Sequence, residues 1–219
     1  VNTRHVAAVL LAAGASRRMG SAKQLLRDAN GEALLVRLVR DALDGGCAPV
    51  VVVLGASAES VRDVLRDALH DSVRDQTRHD SHEGSVAEAS VVCVENADWA
   101  EGMSGSIRVG LQALEGSTAT AVMLLTCDQP SVDVTHVRAL LQAHSHDGGR
   151  VVSEYEGVAG IPAIWPRAEW PLLAALEGDR GARSLLRGDE LTVPLSGGAM
   201  DLDTPEDVYR WRRTEPRID

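Results

Sequence analysis

Apolar positions along this chain follow two rhythms that take turns. Short β-branched or aliphatic runs predict strands over 6–11, 50–54, 90–94, 121–126, 150–153, 161–165 and 191–195. Between them, apolar residues at helical spacing predict helices over 32–43, 58–69, 104–114, 135–143 and 205–213. The run Val50-Val51-Val52-Val53-Leu54 offers no polar face, so its strand needs cover on both sides. That requirement, with strands and helices alternating, predicts an α/β fold: three layers, α/β/α, around a mostly parallel sheet.

One stretch breaks the rhythm. Residues 70–88 crowd Asp, Arg, His, Ser, Gln and Glu together with almost no apolar anchor, and read as a flexible insertion in a single domain spanning 1–219. His70, His79 and His82 stand there among carboxylates, but without a recurring short ligand spacing they read as a solvated loop rather than a metal site. The remaining histidines, His5, His136, His144 and His146, are expected on surfaces or helix faces.

The chain's 219 residues, 44% of them hydrophobic, suffice for one sizeable core. Its net charge of -10, with basic residues scattered, argues against nucleic acid or an anionic membrane as partner. Cys47, Cys93 and Cys127 form no CxxC pair and suggest neither disulfides nor zinc, which fits a reducing cytoplasm. The first apolar run, 6–13, is too short to span a membrane.

Charge becomes informative at one place. Lys23 is the sole lysine among 22 basic residues, and it closes the run Leu11-Ala12-Ala13-Gly14-Ala15-Ser16-Arg17-Arg18-Met19-Gly20-Ser21-Ala22-Lys23. A compact ammonium on a flexible stem fits a crowded phosphate site where a planar guanidinium does not. A strand leading into small residues and then into Arg18 and Lys23 describes a nucleotide site, with backbone close to the ligand and cations at its phosphates. Neither the Walker spacing nor GxGxxG is present. A tight turn with surface arginines explains Gly14 and Gly20 but not the position of the lysine.

Two aspartates are candidates to complete that site. Asp128 follows the predicted strand 121–126, either as a carboxylate at the ligand-binding edge of the sheet, sufficient for magnesium when phosphates supply the other ligands, or as the cap of a turn. In Asp201-Leu202-Asp203-Thr204-Pro205-Glu206-Asp207, Thr204 reads as a helix cap and Pro205 as the first helical residue, while Glu206 and Asp207 suit the helix dipole. Asp203 has no such explanation. Asp201 and Asp203 both remain candidates.

Leu-Ala-Ala-Gly-x-Ser-x-Arg-Met-Gly-x-x-Lys, at 11–23, resembles the signature loop of the MobA-like nucleotidyltransferases, in particular the molybdenum cofactor cytidylyltransferase branch. The resemblance implies a Rossmann-like nucleotidyltransferase fold in which Leu11, Ala12, Ala13 and Gly14 wrap the nucleotide and Arg18 and Lys23 reach its phosphates. By the same resemblance the Asp-x-Asp-Thr-Pro-Glu-Asp stretch is the family's closing motif, and Asp203 joins Asp128 on Mg2+.

The resemblance continues in three further blocks. Gly102-Met103-Ser104-Gly105-Ser106-Ile107 opens a helix, where Ser104 is either its N-cap or, with Gly102 and Ser106, part of a ligand surface; the family usually has Ser at the position of Gly105. Gly160-Ile161-Pro162 and Gly178-Asp179-Arg180-Gly181-Ala182-Arg183 are similar to elements facing the molybdopterin side, with Ile161 where many members have His. Arg180 and Arg183 either clamp a terminal phosphate or lie solvated on a turn.

The implied reaction moves CMP from CTP to the terminal phosphate of molybdopterin or molybdenum cofactor, releasing pyrophosphate, with Arg18, Lys23 and Asp128 as its catalytic residues. CTP is expected because guanylyl-transferring relatives have Gly where this chain has Ala13. The alternatives are a GTP-using or other small-molecule nucleotidyltransferase, and a non-catalytic carrier delivering molybdenum cofactor to a hydroxylase of the xanthine dehydrogenase type.

Overall fold

A computed structural model describes residues 5–69, 73–75 and 91–214. The described strands are β1 (Val6–Ala12), β2 (Val50–Leu54), β3 (Val73–Asp75), β4 (Val91–Glu95), β5 (Ala121–Thr126), β6 (Val151–Tyr155), β7 (Val158–Pro166) and β8 (Leu191–Pro194). They form one sheet in the order β3-β4-β2-β1-β5-β7-β6-β8. Every recorded pairing is parallel except those of β7, which is antiparallel to both β5 and β6. The expected three-layer α/β fold with a mostly parallel sheet is the observed one.

The helices are α1 (Leu34–Gly45), α2 (Ala58–Leu69), α3 (Met103–Ala113), α4 (Val134–Asp147), α5 (Trp170–Ala174) and α6 (Pro205–Thr214). Alternation along β1 divides the core: Val6, Ala8, Leu10 and Ala12 face one cluster with residues of α1, α2, α4 and α6. Ala7 and Val9 face the other, with residues of α3 and α5. All five residues of β2 are buried, as a strand covered on both faces must be.

Departures from the sequence reading are local. α1 begins at Leu34 rather than at residue 32, because Ala33 bridges to Arg27 and the Leu34 N–H donates to the Leu26 carbonyl at 2.7 Å. Part of the expected 70–88 loop is an edge strand, β3, whereas His70, His79 and His82 lie outside the described residues. α3 is preceded by Gly102 at its cap position, not by Ser104, which is buried inside the first turn. Thr204 and Asp207 do cap α6, since the Asp207 N–H donates to Thr204 Oγ1 and the Thr204 N–H donates to Asp207 Oδ2.

His136 and His144 lie on α4, in keeping with the expected helix faces, and both are buried. The His136 Nε2 lies 2.7 Å from Ser153 Oγ, which donates to the Pro162 carbonyl at 2.7 Å. The histidine therefore donates from Nε2, and a buried polar chain ties α4 through β6 to the wall of β7. Burial lowers the His136 pKa, opposed only in part by Asp133.

Ser153→Ala leaves the histidine and the carbonyl without their shared partner, at an expected cost of about 2 kcal/mol in urea denaturation. A second expectation concerns pH. As pH falls through 6.5, the unfolded chain takes up a proton at His136 that the folded chain refuses. The stability His136 contributes is therefore complete above 6.5 and lost below it, so the urea midpoint is expected to drop less with acid in His136→Gln than in the native protein.

Candidate functional site

β1 and β5 are neighbours, with Leu11 paired to Thr126, and the chain leaves both at the same edge of the sheet. From β1 it enters a loop whose base is held by Gln24, a side chain with no exposed surface. Gln24 Nε2 donates to the carbonyls of Ala12 at 2.9 Å and Gly14 at 2.8 Å, and the Lys23 N–H donates to Ser16 Oγ at 3.0 Å. Ser16 itself sits at φ 51°, in the left-handed region. These bonds fold the loop back so that Lys23, in a single 3-10 turn over Lys23–Leu25, returns to the sheet edge.

Asp128 lies just beyond the end of β5. Its carbonyl accepts from the Leu202 N–H at 2.9 Å, which docks the segment before α6 against it. Leu202 is fully buried, so Asp201 and Asp203 flank an anchored residue. Lys23 Nζ donates to Asp128 Oδ2 at 2.6 Å and to Asp203 Oδ1 at 3.2 Å, and Arg18 Nη2 donates to Asp203 Oδ2 at 2.7 Å. Of the two candidate aspartates, Asp203 is the one that meets Asp128 on the lysine. Burial alone lowers the Lys23 pKa, but Asp128 and Asp203 outweigh it and hold the ammonium above its ordinary range.

These groups open onto a cleft of about 500 Å³. Leu11, Ala13, Gly14, Arg18, Lys23, Gly102, Ser106, Asp128 and Asp203, all expected at the site, line it. A Cβ on Gly14 would meet nothing within 4 Å, so no protein group demands glycine there, and backbone at that point is open to whatever fills the cleft. At Gly102 the demand comes from the chain: φ is +120°, and a Cβ would lie 2.4 Å from the Gly178 backbone. Cys127 shares the lining, but burial pushes its thiol up to about 12, which leaves no thiolate nucleophile.

A second cleft of about 230 Å³ adjoins the first and shares Leu11, Met103, Thr126 and Asp128 with it. Arg183, Ile161 and Asp201 line it. Burial, then the negative charges of Asp128 and Asp203, push Asp201 up to about 6. Tyr155 also lines this cleft and was not singled out from the sequence. A Cβ on Gly160 would lie 2.2 Å from its hydroxyl oxygen, and one on Gly198 would lie 2.7 Å from its ring. Two glycines thus clamp this side chain, and Gly160 acts from behind the wall. Burial, then Asp201, raise the Tyr155 pKa, so its hydroxyl stays protonated.

Five expected residues line neither cleft: Gly160, behind the wall of the second, and four others. Ala12 is a core residue whose carbonyl holds Gln24, and the Ser104 N–H donates to the Gly178 carbonyl. Pro162 offers its carbonyl to Ser153, and Arg180 is exposed and lines neither cleft. Gln24, like Tyr155, was missed; its only trace in the sequence is an amide directly after the lysine and before Leu25-Leu26.

Asp128 and Asp203 suit a hard divalent cation, being two oxygen donors from separate segments that already converge on one positive group. Among the described residues no group of three or more His, Cys, Asp or Glu could hold a metal. The protein's share would therefore be these two carboxylates, with water and phosphate completing the shell.

Residues 8–194 match the MobA-like NTP transferase domain. The chain belongs to this family. Relatives include the nicotine blue oxidoreductase of Paenarthrobacter nicotinovorans, 31% identical over 222 residues covering 94% of this chain and 95% of that protein. A probable molybdenum cofactor guanylyltransferase of Opitutus terrae is 28% identical, with 75% and 68% covered. The crystal structure of Rv0371c from Mycobacterium tuberculosis superposes with TM-score 0.71 at 27% identity, over 97% of this chain and all of that one. Another crystal structure of Rv0371c is a complex with manganese; there the TM-score is 0.68 and the identity 26%, with 96% and 100% covered. No helix among the described residues is long and apolar enough to cross a membrane.

Gln24→Leu strips the partner from two backbone carbonyls at the base of the MobA-like loop. It is expected to lower stability by about 2 kcal/mol in urea denaturation.

Proposed function

We propose that this chain transfers CMP from CTP to the terminal phosphate of molybdopterin or molybdenum cofactor, releasing pyrophosphate. The observation that carries nucleotidyl transfer is the meeting of Lys23, Arg18, Asp128 and Asp203 at the mouth of a cleft walled by the glycine loop. A triphosphate laid along that loop brings its phosphates to Arg18 and Lys23, and each ammonium or guanidinium donor strengthens as charge builds on the departing group. The acceptor occupies the second cleft, close to Arg183, with its phosphate directed at the shared Asp128 edge.

An oxygen of the acceptor phosphate attacks the α-phosphorus, and the bond from that phosphorus to the bridging oxygen breaks, so pyrophosphate leaves with the electron pair. The attacking phosphate is already an anion and needs no general base. Asp128 and Asp203 would hold Mg2+, whose chemistry is to neutralise phosphate charge. CTP is favoured by the resemblance, in which guanylyl-transferring relatives have Gly at the position of the cleft-lining Ala13.

A second reading comes from the relative that covers 94% of this chain and is named an oxidoreductase. A third, a cofactor carrier serving a molybdenum hydroxylase, is disfavoured by the retained Lys23, Asp128 and Asp203, for which a carrier has no use.

Pyrophosphate release is to be measured with Mg2+, purified molybdenum cofactor and each of CTP, GTP, ATP and UTP. Cofactor-dependent release with CTP alone is expected, falling by about 100- to 1,000-fold in Asp128→Ala. Release with GTP instead would replace the donor. Oxidation of a reduced nicotinamide dinucleotide without any pyrophosphate release would favour the reductase, and cofactor binding without either reaction would favour the carrier.

A further inference from the structure

The ammonium of Lys23 takes the place between Asp128 and Asp203 that a divalent cation would need. Three of the four carboxylate oxygens on these aspartates accept hydrogen bonds from Lys23 or Arg18. The two negative charges of Asp128 and Asp203 are thereby matched by two positive ones, so this pair by itself offers an approaching dication little net attraction. Lys23 and Asp128 are also well shielded, with side chains only 15% and 18% exposed, which strengthens their pairing against competition from water. Displacing the ammonium without another anion to receive it would leave a partly buried charge unpaired.

We propose that Lys23 keeps the Asp128–Asp203 pair closed to divalent cations until a triphosphate draws its ammonium away, so that metal loading depends on nucleotide. This rests on reading the larger cleft as a nucleotide site. The triphosphate is the natural competitor: it carries several negative charges, and the loop already turns Lys23 and Arg18 toward the same cleft. Arg18 is free to follow, its side chain being 72% exposed. Once both cations turn to the phosphates, the two carboxylates regain their charge facing a ligand that also attracts the metal. The pairing thus protects a site of high negative charge in the empty protein and assembles the metal site only where it is used.

Because Lys23 is the sole lysine in the sequence, labelling with 15N-lysine gives one side-chain ammonium signal in the NMR spectrum. Mn2+ alone, equimolar with the protein, is expected to leave that signal sharp. CTP without metal is expected to shift it, and Mn2+ added afterwards to broaden it. In parallel, free Mn2+ is measured by electron paramagnetic resonance in the absence of nucleotide. Lys23→Met is expected to bind Mn2+ at least about tenfold more tightly than the native protein. Arg18→Met, altered at an exposed side chain that puts folding at little risk, is expected to shift affinity the same way by a smaller factor.

Broadening by Mn2+ alone, or Lys23→Met and Arg18→Met binding Mn2+ no more tightly than the native chain, overturns the closure. A signal that CTP does not move overturns the release. No acceptor enters either measurement, so their failure is distinct from the absence of pyrophosphate release with molybdenum cofactor.

Discussion

An ammonium wedged between two carboxylates sets the terms for everything at this sheet edge. Lys23 lies 105 residues from Asp128 and 180 from Asp203 in sequence, so one cation fastens the glycine loop, the end of β5 and the approach to α6 into a single surface. Such a contact stabilises only where its geometry is maintained, since removing one partner of a shielded ion pair strands the other. The buried Gln24 and the Leu202 N–H bond to the Asp128 carbonyl maintain it from beneath. Chemistry at the surface therefore depends on backbone hydrogen bonds one layer down.

The topology explains why the site is here. β1 has β2 on one side and β5 on the other: the crossover from β1 to β2 passes over one face through α1, and that from β4 to β5 over the other through α3, so the two diverge at β1 and leave a crevice at the carboxyl ends of the strands. Both faces of the sheet are covered, and Arg18, Lys23, Asp128 and Asp203 belong to neither core cluster, whereas Ala13, Met19 and Cys127 of the same cleft pack into the core. The loop can thus carry small and charged side chains selected for a ligand rather than for packing.

Period and run length made the layers legible in the sequence, because a strand such as Val50–Leu54 has no soluble alternative to burial on both faces. Lys23 was legible for a different reason: composition isolates it, and the glycine loop gives that isolation a setting. Gln24 and Tyr155 were not, because an amide or a phenol is ordinary in a loop or at a strand end, and only tertiary structure reveals what each supports. Ser104 misled because a hydroxyl near a helix start usually caps it, whereas here the chain turns tightly at Gly102 against Gly178 and carries Ser104 inside. Asp201 and Asp203 were inseparable by spacing. The buried Leu202 between them decides which cleft each one enters.

β7 runs against its neighbours, and that reversal reaches further than sheet geometry. With β6 parallel to β5, the turn between β6 and β7 emerges at the ligand edge, and one hairpin supplies Tyr155, Gly160 and Ile161 to the second cleft and its wall. The glycine loop and Asp128 belong to the parallel half of the sheet and share no residue with this hairpin. Such a division makes the two halves separable in evolution. A lineage can rewrite the hairpin and accept a new partner molecule while the ancestral loop is inherited intact, which is how one scaffold could come to serve relatives with names as different as guanylyltransferase and oxidoreductase.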